Sequence, residues 1–201
     1  MNKHRTLFFS IIILSFCLSG CATKVERVKV DNKVDLSGVW NDYDAQLVSK
    51  ETIADCLKAS WLETFQKDQG RQPVVIVGSM ANRSHEHINT QIFTKSLERE
   101  LLNSGKVRFV ASSEERKQMR GERKDQDLGF TDPATMAKKM KETGADYMLI
   151  GSLNSVKDAK KNQYVILYQV NLELVDISTN QKVWIGQKEI KKVVTNPKFS
   201  L

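Results

Sequence analysis

The feature that most constrains the fold is a change of hydrophobic period about two-thirds of the way along the 201-residue chain. After residue 144, three β-rich runs follow one another: "ADYMLIGSLNSV", "QYVILYQVNLELVDI" and "QKVWIGQKEIKKVV". In the second run, Val170, Leu172 and Leu174 alternate with polar residues, which is the period of a strand with one buried face. Because the turn-forming "DISTNQK" joins the second run to the third, these two runs predict an antiparallel hairpin.

The earlier part of the chain alternates helical and strand patterns. From Tyr43 to Phe65, apolar residues recur at three-, four- and seven-residue steps, which predicts one amphipathic helix that ends near Gly70. "PVVIVGSM" predicts a strand covered on both faces, and "KVRFVAS" predicts a short second strand. Further helices are predicted for "NTQIFTKSLERELLNSGK", with Asn89 or Thr90 as its cap, for "SSEERKQMRGERK" and for "TDPATMAKKMKETG". The order α-β-α-β-α-α-β-β-β predicts an α/β (α+β) fold, with helices packed on a mixed sheet that ends in a C-terminal antiparallel hairpin.

The first residues have the layout of an export signal. Lys3 and Arg5 precede an apolar run, and this run is shorter than the roughly 20 apolar residues that a membrane-spanning helix needs. The run ends in "LSGC" at residues 18–21, which resembles the lipobox of bacterial lipoproteins. The resemblance implies a signal peptide over residues 1–20 and a lipid on the Cys21 thiol, whereas the alternative is a buried cysteine in an uncleaved anchor. Such signals typically use Asp after the cysteine for inner-membrane retention, so Ala22 predicts sorting to the outer membrane.

Residues 21–42 are mostly polar or charged, and we interpret them as a lipidated N-terminus and tether before a single globular domain over residues 43–201. Fully extended, the tether would span roughly 70 Å. Trp40 lies in it and can dock on its own domain or on a partner; docking on its own domain is the simpler hypothesis. Cys56 is the one cysteine left in the domain, which leaves no intrachain disulfide, and we predict that it is a small buried residue of the first helix.

The chain is basic. Lysine and arginine number 31 against 24 acidic residues, so the formal net charge is +7, or +5 once Lys3 and Arg5 are removed with the signal. A basic surface suits nucleic acid, anionic lipid or an acidic protein partner. An exported, anchored protein rarely meets nucleic acid, so we predict no nucleic-acid partner.

No sequence motif points to catalysis. "SHEH" brings His85, Glu86 and His87 together, but zinc-protease histidines lie four residues apart on a helix, and the third histidine, His4, belongs to the signal. A solvated loop is therefore favoured over a metal site. The sequence has no Gly-x-Ser-x-Gly elbow, phosphate loop or dinucleotide fingerprint. These observations predict a protein that is not an enzyme and uses no cofactor or metal.

Several segments together resemble the LpoB family of outer-membrane lipoproteins. They are "DLSGVWND", "PVVIVGSMANRSHEHINTQIFTKSLERELLNSGKVRFVAS", "KETGADYMLIGSLNSV" and "LYQVNLELVDISTNQKVWIGQKEIKK", and the resemblance covers residues 35–192. It implies a fold related to TolB amino-terminal and CsgG-type domains. It also implies a regulator that binds a class A penicillin-binding protein and stimulates peptidoglycan synthesis. Enteric members have a long proline-rich tether, whereas residues 22–42 contain no proline.

Two further points remain hypotheses at this level. The alternative function is a structural subunit of a CsgG-like outer-membrane secretion or surface assembly, which would form a large oligomer, whereas an activator is expected to be a monomer. The candidate partner-binding residues are Arg83, Ser84, His85 and His87, because they leave an apolar strand together and polar loops held by a rigid sheet often bind partners. The alternative for this loop is an ordinary solvated connection.

Overall fold

The computed structural model describes residues 26–29, 32–137 and 141–195. The hydrophobic core of the described residues lies within one compact unit, Lys33–Leu201, so a chain that starts at Ala22 keeps every residue of it. Within the described ranges, no helix has the length and apolar character needed to cross a membrane. The predicted signal peptide and Cys21 lie outside the described residues.

The domain contains four α-helices and five strands in the part of the chain that the structure describes. The elements in chain order are α1 Asp42–Cys56, α2 Ser60–Gln69, β1 Val74–Arg83, α3 Thr90–Asn103, β2 Arg108–Phe109, α4 Ser113–Asp125, β3 Tyr147–Lys160, β4 Gln163–Asp176 and β5 Lys182–Thr195. Helix α4 continues into a π-helical turn, Gln126–Phe130, in which Gly129 has a φ of +90°.

The single first helix expected from the sequence is two helices. Helix α1 starts in a capping box between Asn41 and Asp44 and ends at Cys56, and Ala59 is extended before α2 begins. The Trp61 indole donates a hydrogen bond to the Cys56 carbonyl over 2.7 Å. This bond satisfies a carbonyl that the end of α1 leaves free. The break contains no glycine or proline, and the apolar period continues across it. The sequence pattern therefore does not reveal where α1 ends.

The helix predicted over residues 131–144 is wrong for the part that the structure describes. Residues 131–137 form turns and residues 141–145 have no regular structure, while residues 138–140 lie outside the description. Asp132 organises the turn, because its carboxylate accepts from the Ala134 amide and its carbonyl accepts from the Thr135 amide. Pro133 suits the first turn of a helix, but it is equally suited to a β-turn.

The five strands form one mixed sheet in the order β2-β1-β3-β4-β5. Strand β1 runs parallel to both β2 and β3, whereas β3, β4 and β5 form an antiparallel meander. The predicted α/β class with a C-terminal antiparallel hairpin is confirmed, and β3 adds a second hairpin that turns at Lys161, where φ is +52°. Residues in register share a face of the sheet, as Leu149, Leu174 and Trp184 do.

The core lies between one face of this sheet and helices α1, α2 and α3. Every second residue of β4 from Ile166 to Leu174 is buried, and these residues belong to one cluster with apolar residues of α1 and α3. Cys56 is fully buried, as predicted, and Trp61 and Trp184 are also core residues. We call the opposite side of the meander the open face, and its side chains are half-buried or exposed. The open face carries Ser152, Asn154, Val156, Asp158, Val165, Leu167, Gln169, Asn171, Glu173, Ile185, Gln187, Glu189, Lys191 and Val193.

Candidate partner-binding site

Arg83 is the last residue of β1, where the strand leads into the loop of residues 84–89. It is in register with Asn154 of β3, so its side chain lies on the open face. It is exposed, and within the part of the chain that the structure describes it makes no ion pair. Arg83 is therefore placed where its charge can meet a partner.

Ser84 is used inside the loop. Its hydroxyl donates to Asn82 Oδ1 over 2.7 Å, and the Ser84 amide donates to the same oxygen over 3.0 Å. The Asn82 amide group in turn donates to the Glu86 carbonyl over 2.8 Å. An asparagine that binds backbone groups a few residues ahead stabilises a tight turn. Ser84 is consequently half-buried rather than displayed.

His85 ties the loop to the neighbouring strand. Its ring Nδ1 lies 2.5 Å from Ser155 Oγ of β3, and its backbone amide donates to the same oxygen over 3.1 Å. Its Nε2 lies 3.8 Å from Glu86 Oε1. About a third of the side chain is exposed, at 37%. His85 therefore fixes the loop against the rim of the sheet and presents one ring edge to solvent.

Glu86 points inward and holds two parts of the domain together. Its Oε1 accepts a hydrogen bond from the Tyr168 hydroxyl over 2.5 Å, and its Oε2 accepts from the Trp40 amide over 3.1 Å. Tyr168 is fully buried. Burial, together with the adjacent Glu86 carboxylate, raises the pKa of the Tyr168 phenol. The phenol thus remains a hydrogen-bond donor to Glu86 throughout the physiological pH range.

Trp40 docks on its own domain, as the simpler hypothesis held. Its ring packs edge-on against Phe93 at 6.2 Å and against Tyr168 at 5.6 Å between centroids. Beside it lies a cleft of about 310 Å³, lined by Trp40, Phe93, the exposed Ile92 and His87. His87 thus faces this cleft, whereas Arg83 faces the other side of the sheet. The structure does not bring the four predicted binding residues onto one surface.

Residues Asp35–Asn41, which we call the strap, lie against the domain ahead of α1. Lys192 of β5 holds the strap: its Nζ lies 2.6 Å from Asp44 Oδ2 and 3.0 Å from Asp35 Oδ2, and it donates to the Val39 carbonyl over 2.8 Å. The Lys192 side chain is 8% exposed. A lysine this buried requires such partners, because burying an unpaired charge is costly. About a third of the segment interpreted as tether, residues 35–41, therefore contacts the domain.

Polar side chains cross the centre of the open face in one hydrogen-bonded group, which we call the amide row. The Gln169 amide donates to Glu189 Oε1 over 3.0 Å, and the Gln187 amide donates to the same oxygen over 3.0 Å. The Asn171 amide donates to Gln169 Oε1 over 3.3 Å. Arg83 lies at the β1 side of this row, next to Asn154. The amide row consists of Ser152, Asn154, Gln169, Asn171, Gln187 and Glu189.

The chemistry that these groups offer is hydrogen bonding and charge. The row presents amide donors and acceptors on a rigid sheet, and Arg83 adds a guanidinium that can bind a carboxylate with two hydrogen bonds. Among the residues that the structure describes, no three histidine, cysteine or acidic side chains are grouped to hold a metal ion. Such a surface suits recognition of another polar surface.

A sequence-family model of the peptidoglycan-synthase activator LpoB matches residues 44–190, nearly three-quarters of the chain. The chain belongs to the LpoB family. The match includes the loop after β1 and the whole amide row, whereas Trp40 and Lys192 lie outside it. The resemblance of the sequence to this family is thereby confirmed. No curated protein sequence matches the chain.

Solved structures of LpoB proteins are similar to this chain. The C-terminal domain of LpoB from Salmonella enterica is 22% identical, covers 74% of this chain and 98% of that chain, and gives a TM-score of 0.41. The NMR structure of E. coli LpoB is 18% identical, with 89% and 84% coverage and a TM-score of 0.42. Lipoprotein GNA1162 from Neisseria meningitidis is 16% identical, with 63% and 88% coverage and a TM-score of 0.40. The family assignment rests on the sequence match over residues 44–190.

Two structural residues of this site, Glu86 and Lys192, were not predictable from the sequence. Glu86 stands out there only as a candidate metal ligand in "SHEH", and Lys192 has no signal because charged residues are seldom buried. The amide row had a sequence signal. Polar residues alternate with apolar residues at Gln169 and Asn171, and again at Gln187 and Glu189, in two strands that were predicted to pair.

Proposed function

We propose that this protein is a lipid-anchored activator that binds a class A penicillin-binding protein and regulates peptidoglycan synthesis. The observation that carries the proposal is the match to the LpoB family of peptidoglycan-synthase activators over residues 44–190. The protein acts by binding and not as an enzyme. It works as a monomer, uses no cofactor and does not bind nucleic acid.

The anchor is the lipid on Cys21, and the protein faces the periplasm from the outer membrane. The lipobox-like "LSGC" and the Ala that follows it support this location. In its own bacterium, the Cys21→Ala variant should appear as soluble protein or as an unprocessed precursor, whereas the wild type fractionates with outer membranes. A processed Cys21→Ala protein that stays in the membrane would rule out this anchor.

The surface that we assign to the synthase is the centre of the open face, with Arg83 as its charged residue. Arg83 is exposed, lies beside the amide row, and is held by a strand whose loop is fixed through His85 and Glu86. Rigid placement reduces the entropy cost of binding. Arginine is also enriched among the residues that dominate interface energies. His85 contributes its exposed ring edge to this surface. Ser84 contributes indirectly, by holding the loop, and His87 contributes through the cleft beside Trp40.

The experiment is a binding titration with the purified cognate synthase, using Arg83→Ala and Arg83→Glu. Loss of an interface hot spot costs about 2 kcal/mol or more, which weakens binding roughly thirtyfold. The matched control is Arg99→Glu, because Arg99 is also exposed but lies on α3, on the covered side of the sheet. The thermal midpoints of all variants should equal that of the wild type. Wild-type affinity of Arg83→Glu would remove this surface from the interface.

A CsgG-like structural subunit is not favoured, because the family that matches consists of synthase activators. Gel filtration distinguishes the two possibilities. The chain from Ala22 onward should elute as a monomer, and a stable ring of many copies would support the alternative.

A further inference from the structure

The far end of the β3–β4 hairpin has a composition unlike the rest of the open face. Two neighbouring rows of register partners place Val156 beside Leu167, and Val165 beside Val193. Side chains in adjacent rows of one face lie within reach of each other, so the four form one apolar group. Val156 is 68% exposed and Val193 is 61% exposed. An aliphatic group this exposed is a candidate contact surface.

Lysines surround this apolar group. Lys160 and Lys161 lie at the hairpin turn, and Lys191 is in register with Leu167. All three are exposed, and none of them has an ion pair within the described part of the chain. The open face carries three acids. Asp158 is in register with Val165, Glu189 belongs to the amide row, and Glu173, farther from the turn, pairs with Lys182. We call Val156, Val165, Leu167, Val193, Lys160, Lys161 and Lys191 the tip patch.

The chain leaves the domain toward its N-terminus at this same end. The Tyr164 hydroxyl donates to the Ser37 carbonyl over 2.9 Å, and Gly38 packs against Val194. Tyr164 and Val194 are register partners near the hairpin turn. The strap thus lies at the same end of the sheet as the tip patch, on the opposite face, before the chain continues toward residue 21.

The length of chain between the anchor and the strap limits how far the tip patch can move from the membrane. If Cys21 carries the lipid, 13 residues lie between it and Asp35. As a flexible coil, such a segment has a mean reach of about 20 Å, and fully extended it spans roughly 50 Å. The end of the domain that carries the tip patch is therefore the end kept near the membrane surface.

We propose that the tip patch is a second membrane contact, which binds the anionic phospholipid headgroups of the bilayer that holds the lipid anchor. The lysines meet lipid phosphates, and the aliphatic side chains enter the region between headgroups and acyl chains. A basic patch next to aliphatic side chains is a recognised feature of proteins that bind anionic membrane surfaces. The orientation of the tip patch toward the membrane rests on the proposed lipid anchor. Binding of the tip patch to anionic headgroups does not depend on that anchor.

The test uses the chain from Ala22 onward, which lacks the lipid, and measures sedimentation with vesicles. Vesicles of phosphatidylglycerol and phosphatidylcholine in a ratio of about 1:2 have a moderate negative surface potential. They are compared with vesicles of pure phosphatidylcholine. Each lysine near an anionic surface strengthens binding about fivefold, so K160Q/K161Q/K191Q should weaken it roughly a hundredfold. The matched control is K58Q/K67Q/K106Q, which removes the same charge from exposed lysines elsewhere on the domain. Val156→Ser with Val193→Ser should also weaken binding.

Wild-type binding to the anionic vesicles, with retention in the control triple variant and loss in the tip variant, is the expected result. Equal weakening in both triple variants would mean that only net charge matters and would overturn the proposal. Absence of binding to anionic vesicles, or binding to purified peptidoglycan with none to vesicles, would overturn it too. Stimulation of the synthase is measured separately in solution, so failure of the activator function leaves this outcome unaffected, and the reverse also holds.

Discussion

Replacing Lys192 with methionine perturbs the contact that holds the strap. The ammonium group of Lys192 meets Asp44, Asp35 and the Val39 carbonyl, and its side chain is 8% exposed. Methionine keeps the unbranched apolar stem but removes the charge. The Asp44 side chain, 6% exposed, then loses its cation in a buried position. The variant therefore creates a buried carboxylate without a counter-charge.

The expected loss of stability follows from that burial. Removing one partner of a buried ion pair costs about 3–5 kcal/mol, because the other charge stays buried. Asp44 keeps one hydrogen bond from the Asn41 amide, over 3.1 Å, so we expect the lower end, about 3 kcal/mol. Asp35 is 27% exposed, so its ion pair with Lys192 adds less, about 1 kcal/mol at most. The total free energy of unfolding of a domain is about 5–15 kcal/mol, so Lys192→Met should be conspicuous.

The assay is urea unfolding of the chain from Ala22 onward at neutral pH, together with hydrogen exchange of the strap amides. Lys191→Met is the matched control, because Lys191 is exposed and its replacement should change stability by no more than about 0.5 kcal/mol. In Lys192→Met, the Trp40 amide that binds Glu86 should also exchange faster. A loss below about 1 kcal/mol with unchanged Trp40 exchange would refute this account of the strap.

Three further predictions concern single positions. Gly38→Ala should destabilise the domain more than Gly70→Ala in urea unfolding, since both glycines have positive φ but only at Gly38 would a Cβ collide with a β5 side chain; equal effects would contradict the packing of the strap. Burial raises the pKa of the Cys56 thiol to about 12, so thiol reagents should label it slowly without denaturant, and rapid labelling would argue against a buried cysteine. The pKa of Glu115 is lowered to about 2, mainly by its hydrogen bond from Lys95, so its contribution is complete above about pH 4.5 and is lost as pH falls toward 2; Glu115→Gln should flatten the stability curve in that window, and an unchanged curve would show that the pair contributes nothing.

The two-residue hydrophobic period of the strands predicted much of the fold. Val170, Leu172 and Leu174 alternate with polar residues, and a two-residue period allows only a strand with one buried face. The same alternation already separated the core face from the open face. The break between α1 and α2 was not predictable in this way, because Trp61 closes it by a tertiary contact rather than by a local breaker.

The candidate site was harder to predict because its residues are distributed by register. Arg83 and His87 are only four residues apart, yet they face opposite sides of the sheet. Sequence proximity indicated one surface, whereas the pairing of β1 with β3 separates them. Lys192 shows the same limit from the other direction, since it acts on residues about 150 positions away, and only the folded chain reveals that contact.

The measurement that tests the central claim most directly is the rate of glycan polymerisation by the cognate class A penicillin-binding protein, with and without the chain from Ala22 onward. The account predicts that a saturating amount of the wild-type chain increases the rate. Arg99→Glu should match the wild type, and Arg83→Glu should require roughly thirtyfold more protein for the same increase. An unchanged polymerisation rate at a concentration where the two proteins bind would contradict the claim that this protein is a synthase activator.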